Sequence, residues 1–151
     1  MRGHVVFQGE YKNSIDAKGR LSIPARFREV LAHRYEDERL VVTRRGEALC
    51  AYPVPVWDNV VTQVMDMPAS ADKDHILRTR VAPATECQFD RHGRIQVPHS
   101  LRTAAAFEKE VVVVGMLEKM ELWSAERHAA EVERSEARLS EVQQLLADVG
   151  L

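Results

Sequence analysis

A ten-residue pattern occurs twice in this chain, as IDAKGRLSIP at residues 15–24 and as FDRHGRIQVP at residues 89–98. Asp90 follows Asp16 by 74 residues, and the Gly, Arg and Pro residues of the two copies keep the same offset. A weaker likeness continues downstream, where LCAY at residues 49–52 resembles MELW at residues 120–123. Similarity at a fixed offset predicts one supersecondary unit that is used twice.

Each copy has the pattern of a tight turn followed by a half-buried strand. An Asp side chain can hydrogen-bond the backbone of its own turn, and Gly takes a positive φ at no steric cost. These arguments assign the turn-structuring role to four residues: Asp16, Gly19, Asp90 and Gly93. Polar and apolar residues alternate from 20 to 23, which predicts a strand with Arg20 outward and Leu21 inward. Pro24 and Pro98 then suit the first turn of a helix.

The remaining elements follow the same order in both halves. We predict helices at 25–33 and 99–107, strands at 40–43, 48–52, 111–115 and 120–123, helices at 55–67 and 71–80, and a last helix at 125–149 with Ser124 as N-cap. This gives a first module (7–54), connecting helices (55–80), a second module (81–124) and a C-terminal helix (125–151). A hairpin with one helix buries too little apolar surface alone, so two modules should cover each other. The expected fold is mainly β with flanking helices, an intrachain pseudo-dimer.

The last predicted helix has an apolar stripe at near-heptad spacing. Its members are Val132, Leu139, Val142, Leu146 and Val149. Such a stripe packs either on another subunit or on the core of its own chain, and the pattern favours neither.

Composition narrows the function classes. The chain has 151 residues, 45% hydrophobic and 29% charged, which is an ordinary globular balance. No apolar stretch of the sequence approaches the roughly 18 residues that a membrane helix needs. Six histidines are scattered, and the two cysteines lack the spacing of a zinc site, so we predict no enzyme, cofactor or metal. Cys87 lies near His92 in sequence, but alternation with Phe89 predicts that Cys87 belongs to the core.

Charge is distributed unevenly although the net charge is only −2. Residues 1–30 contain six bases and three acids, whereas residues 118–151 contain four bases and eight acids. The basic end could face phosphate while the acidic end repels it. The alternative is that two solvated faces differ in charge by chance.

The repeated stretch, preceded by FQGEY at residues 7–11, strongly resembles the opening of the MraZ family. The second Asp-x-x-x-Arg, at residues 90–94, stands where that family has its second copy. The resemblance implies two AbrB-like swapped-hairpin modules per chain and assembly into rings. It also implies a nucleoid-associated regulator that binds tandem promoter repeats and represses the division and cell-wall gene cluster containing its own gene. The two isolated cysteines favour the reducing cytoplasm as its location. Two features depart from the family pattern. Met1–Val6 precede the usual start, and the second copy has His92 where the first copy has Lys18.

The family motif places the turn at a DNA surface, and residue chemistry suggests the roles. Arg20 can pair bidentately with guanine or phosphate, and Lys18 at the turn tip suits a phosphate. The candidate DNA-binding residues are Lys18, Arg20, Arg26, Arg28 and Arg94. Asp-x-x-x-Arg could instead be an internal salt bridge that holds the hairpin. The alternative function is an AbrB-like interaction or antitoxin-type ring without specific DNA binding.

Overall fold

The computed structural model describes residues 5–151, and the expectation about the segment Met1–Val6 lies largely outside this range. The strands are β1 (Glu10–Ser14), β2 (Arg20–Ser22), β3 (Leu40–Arg45), β4 (Ala48–Pro53), β5 (Thr85–Cys87), β6 (Arg94–Gln96), β7 (Glu110–Gly115) and β8 (Met120–Ser124). The helices are α1 (Ala25–Val30), α2 (Val54–Asp66), α3 (Ala71–Ile76), α4 (His99–Ala104), α5 (Ala125–Arg138) and α6 (Gln143–Asp148).

The strands of the two halves are exchanged. A six-stranded antiparallel sheet has the order β1-β7-β8-β4-β3-β5, and β2 pairs with β6 in a separate two-stranded ribbon. The first strand of each half therefore pairs with the third strand of the other half: β1 with β7, and β5 with β3. Neither half has a complete sheet of its own, so the expected mainly β, swapped-hairpin pseudo-dimer is confirmed.

Strand register shows the internal symmetry of the chain. Leu21 lies opposite Ile95 in the ribbon, and the two residues are equivalent in the repeat. In the large sheet, Cys50 lies opposite Glu121, and these two residues are also equivalent in the repeat. A pseudo-twofold axis consequently passes through both pairs, and it relates the two turns that precede β2 and β6.

The main core lies between the large sheet and the layer formed by the ribbon with α1 and α4. Leu21 and Ile95 are fully buried there, whereas Arg20 and Ser22 are only partly buried. The predicted alternation of β2 is therefore observed. Phe27 of α1 meets Phe7 edge-on, with ring centroids 5.4 Å apart. Burial of these side chains fixes the ribbon against the sheet and sets where its turns emerge.

The helical segment after Pro24 reaches Tyr35, slightly beyond the predicted end, whereas the helix after Pro98 ends at Ala104, earlier than predicted. Both prolines are N-caps and lie just before the first helical turn. Helix α1 stops at Val30 and continues as one wide π turn over Leu31–Tyr35. Helix α4 stops because Ala106 adopts a left-handed φ of 55°, which lets the N–H of Phe107 donate to the Arg102 carbonyl at 3.0 Å. The connecting helix predicted at 71–80 likewise changes to a π turn after Ile76.

The predicted single C-terminal helix is wrong, because a 3-10 turn at Leu139–Val142 separates α5 from α6. At this point the Ser140 hydroxyl donates to the Ala137 carbonyl, a bond that competes with regular helical pairing. The N-cap prediction is confirmed, since Ser124 accepts from the backbone N–H of Arg127 at 3.2 Å. Along the apolar stripe, Val132 is 47% exposed and Val149 is 71% exposed. Leu139 is also exposed, whereas Val142 and Leu146 are partly buried, so the chain's own core covers the stripe only in part.

Within residues 5–151, no helix has the length and apolar character needed to cross a membrane.

Candidate nucleic-acid interface

The first turn is built by one carboxylate. Asp16 Oδ1 accepts hydrogen bonds from the backbone N–H groups of Lys18 at 3.0 Å and Arg20 at 2.9 Å. Its Oδ2 accepts from Arg20 Nε at 2.6 Å, and its carbonyl accepts from the N–H of Gly19 at 2.9 Å. The backbone N–H of Arg20 is the main reason that the pKa of Asp16 lies below its ordinary value. The carboxylate therefore stays charged and keeps the turn closed.

The second turn repeats this geometry. Asp90 Oδ1 accepts from the N–H groups of His92 at 2.8 Å and Arg94 at 3.0 Å, and Oδ2 accepts from Arg94 Nε at 2.9 Å. The pKa of Asp90 is lowered, chiefly by the backbone N–H of Arg94. Gly19 and Gly93 have left-handed φ values of 83° and 74°, which a side chain would strain.

The Asp-x-x-x-Arg ion pair occupies only part of each guanidinium. Asp16 takes the Nε–H of Arg20, and within residues 5–151 neither terminal amino group of Arg20 donates a hydrogen bond. The Arg20 side chain is 39% exposed, and the equivalent Arg94 is 27% exposed. The two sequence interpretations are consequently compatible: the salt bridge aims the guanidinium, and its outer edge can meet an acceptor in solvent.

The turn tips add further cations. Lys18 is exposed at the tip of the first turn. At the tip of the second turn, Arg91 and His92 are both exposed, and Arg91 Nε lies 3.3 Å from His92 Nε2. Arg91 is not among the residues predicted from the sequence, although its position in the repeat next to His92 was a usable signal. Each turn therefore presents a cation in addition to its motif arginine.

The helical arginines differ in position. Arg26 is exposed on α1, whereas Arg28 is partly buried and donates from Nε to the Ile23 carbonyl at 3.3 Å. A methyl group built at Gly93 would lie 2.7 Å from Arg28 Cζ, so this guanidinium packs directly on the second turn.

Arg102 makes the reciprocal contact and was missing from our candidate set. Its Nη1 donates to the Ala17 carbonyl at 3.2 Å, and its Nε would lie 2.7 Å from a methyl group at Gly19. The offset of 74 residues from Arg28 was the sequence signal for this role. Each module thus sends an arginine to the turn of the other module.

The two cysteines are free thiols that lie buried in the chain. Burial raises the pKa of Cys50 and of Cys87 to about 11, so neither thiol is a ready nucleophile. Cys87 Sγ points to the carbonyls of Thr85 and Gln96. Among the residues that the structure describes, no three His, Cys, Asp or Glu side chains are grouped to hold a metal ion. The polar groups that remain available at the turns are cationic donors.

Comparison with known proteins agrees with the repeated architecture. The family model described as "MraZ protein, putative antitoxin-like" matches residues 6–79 and again residues 81–149. A protein of Syntrophotalea carbinolica named "Transcriptional regulator MraZ" is 43% identical over 147 residues, which cover 95% of this chain and 98% of the relative. Proteins with the same name from Halothermothrix orenii and Ligilactobacillus salivarius are 35% and 38% identical, and each match covers 97% of this chain and 100% of the relative. With both repeats and nearly the full length matched, this chain belongs to the MraZ family.

Proposed function

We propose that the chain is a sequence-specific DNA-binding transcriptional regulator. The observation that carries the proposal is the pair of turns in which Asp16 and Asp90 each hold an arginine by Nε and leave its outer edge toward solvent. The relatives named above are transcriptional regulators by name, which supports a regulator and not an enzyme. DNA offers the acceptors that such guanidinium edges fit, on phosphates and on guanine.

The proposed contacts divide into two kinds. Arg20 and Arg94 present guanidinium edges suited to the O6 and N7 atoms of guanine in the major groove. Lys18 at the tip, with Arg26 on α1, suits phosphates, which position a protein but do not specify sequence. Arg28 is the least available of the candidates because it packs on the second turn. Asp16 and Asp90 are repelled by phosphate, and their ion pairs offset this repulsion.

The regulator is further proposed to act as an oligomer on tandem promoter repeats, repressing the division and cell-wall gene cluster that contains its own gene. Each turn pair offers few cations, so one chain should bind weakly and in a salt-sensitive manner. Several linked chains on neighbouring repeats gain effective concentration. The exposed apolar stripe on α5 and α6 supports an assembly, for which a ring is our proposal. Its place of action would be the nucleoid in the cytoplasm, and residues 7–54 and 81–124 remain the proposed modules.

A second candidate follows from the antitoxin-like wording of the family description. In that case the ring would bind a protein and show no sequence preference for DNA. The exposed stripe fits either function, whereas the aimed arginines of the turns favour DNA.

Binding to promoter DNA from upstream of its own gene tests the proposal. Wild type, Arg20→Ala and Arg138→Ala are titrated against native and scrambled repeats over a range of salt concentrations. Arg138 is the matched control, because its side chain is 76% exposed at the end of α5 and belongs to neither turn. We expect Arg20→Ala to lose roughly 5- to 150-fold in affinity for the native repeats, the value of one bidentate contact to guanine. Arg138→Ala should bind like wild type.

The salt dependence identifies the type of contact. If Arg20 meets guanine, the slope of log K against log salt stays unchanged, whereas a phosphate contact lowers it by about one. Equal binding of wild type to native and scrambled DNA at every salt concentration would refute sequence-specific regulation. Binding of a partner protein without any DNA preference would favour the antitoxin-type function instead.

A further inference from the structure

We infer that the second module positions the first turn for DNA binding, through the side chains of Gln96 and Arg102. This inference rests on the proposed function, because it assigns a role to residues that hold the turn presenting Lys18 and Arg20. Gln96 and Arg102 are positioning residues, and neither is required to touch DNA.

All three carbonyls at the tip of the first turn accept a hydrogen bond from the second module. Arg102 Nη1 donates to Ala17 at 3.2 Å, and Gln96 Nε2 donates to the carbonyl of Lys18 at 3.1 Å. The backbone N–H of Val97 donates to the Gly19 carbonyl at 2.8 Å. The donors lie 78 residues or more along the chain from their acceptors, so only the exchanged fold brings them together.

The second turn has less support from the first module. The N–H of Ile23 donates to the Gly93 carbonyl at 3.1 Å, which repeats the Val97 bond. Ser22 stands at the position equivalent to Gln96, and Arg28 donates to Ile23 in its own module. Within residues 5–151, the bond from Ile23 to Gly93 is therefore the one hydrogen bond from the first module to the carbonyls of the second turn.

This asymmetry favours the first turn as the pre-organised one. A binding loop that is already fixed loses less conformational entropy when it binds, so a held turn binds more tightly than a loose turn with the same side chains. The backbone at Lys18 and Arg20 sets where the ammonium and guanidinium groups point. The Arg102 guanidinium lies directly on this turn, since a methyl group at Gly19 would be 2.7 Å from its Nε and 2.9 Å from its Cζ.

Hydrogen exchange on the free protein tests the positioning step without DNA. Exchange of the backbone amides from 16 to 20 is compared in wild type, Gln96→Ala, Arg102→Lys and the matched control Arg28→Lys. Arg102→Lys keeps the charge but cannot reproduce the planar guanidinium that lies on Gly19. We expect about tenfold faster exchange for the first two variants, the effect of losing one hydrogen bond. Arg28→Lys should leave these amides unchanged and affect residues 90–94 instead.

Unchanged exchange from 16 to 20 in both Gln96→Ala and Arg102→Lys would overturn the inference. Uniformly faster exchange over the whole chain would also overturn it, because general loss of stability explains that result.

DNA binding then tests whether positioning matters for function. Gln96→Ala and Arg102→Lys should bind native repeats about tenfold more weakly, with the wild-type salt slope, because no phosphate contact is lost. Full binding by Arg102→Lys together with a lower slope for Arg102→Ala would identify Arg102 as a phosphate contact and overturn the inference. If wild type itself prefers no DNA, the proposed function fails, and the functional part of the inference fails with it. The exchange data still show separately whether the second module holds the turn.

Discussion

Replacing Gly19 by alanine provides the sharpest test of the turn geometry. Gly19 has a φ of 83°, and a left-handed conformation costs a residue with a side chain about 1–2 kcal/mol. The new methyl group would lie 2.5 Å from the Val97 carbonyl oxygen, which is backbone and cannot swing away. Relief of this contact should break the 2.8 Å bond from Val97 N–H to the Gly19 carbonyl, which contributes about 0.5–1.5 kcal/mol. Gly19→Ala should therefore lower the free energy of unfolding by about 2–3 kcal/mol.

Two other glycines serve as matched controls. Gly46 has a φ of 59°, and no atom lies within 4 Å of the added methyl group. Gly46→Ala should therefore lower the free energy of unfolding only by the backbone strain of about 1–2 kcal/mol. At Gly93 the methyl group meets the Arg28 guanidinium, a flexible side chain that can move, so its cost should be intermediate. The entropy that alanine removes from the unfolded chain is common to all three variants and cancels in the comparison.

Thermal unfolding monitored by circular dichroism, with urea titration for the free energies, measures the three variants. For a chain of this size each kcal/mol lowers Tm by about 2–4 °C, so Gly19→Ala should melt about 5–10 °C below wild type. The expected order of destabilisation is Gly19→Ala, then Gly93→Ala, then Gly46→Ala. An equal loss at Gly19 and Gly46 would show that contact with the second module contributes nothing, which would refute the reasoning.

Three further measurements test other parts of the structure. Asp16→Asn should lower Tm at neutral pH, and the difference in Tm from wild type should disappear as the pH falls below about 4. The backbone N–H of Arg20 lowers the pKa of the Asp16 carboxyl in the folded chain. The charged carboxylate therefore stabilises the fold above its unfolded-state pKa, and this stabilisation is lost as the pH falls through the lower folded-state pKa. A gap that stays constant with pH would contradict this. Leu21→Ala should lower the free energy of unfolding, measured by urea titration, by about 2–5 kcal/mol because Leu21 is fully buried. Leu145 is 65% exposed, so Leu145→Ala should lower it by less than about 0.5 kcal/mol. Equal losses for the two variants would refute the assigned core. Cys50 and Cys87 should resist a thiol reagent at pH 8 until the chain unfolds, since burial raises both pKa values to about 11, and rapid labelling of the native protein would contradict that burial.

Local chemistry made the turns predictable from the sequence. An Asp followed by Gly three residues later encodes its own hydrogen bonds, and the structure shows these bonds at Asp16 and again at Asp90. The inward positions of β2 were predictable for the same reason, because the alternation between Arg20 and Leu21 is a property of adjacent residues. The candidate DNA-binding role of the turn arginines stays a prediction from residue chemistry and family resemblance.

Element ends were less predictable, because they depend on single backbone conformations. Helix α4 ends where Ala106 turns left-handed, and alanine is a good helix former that gives no such signal. The break between α5 and α6 likewise contains neither proline nor glycine.

The sequence repeat was sufficient to predict that the chain is two copies of one unit, since equal patterns of turn, strand and helix encode equal local structures. The pairing of β1 with β7 and of β5 with β3 is visible only in the folded chain. In the first case it joins segments about 100 residues apart, so it depends on which apolar faces can be buried together. The same exchange brought Arg102 to the turn at Gly19, a contact that no local pattern encodes.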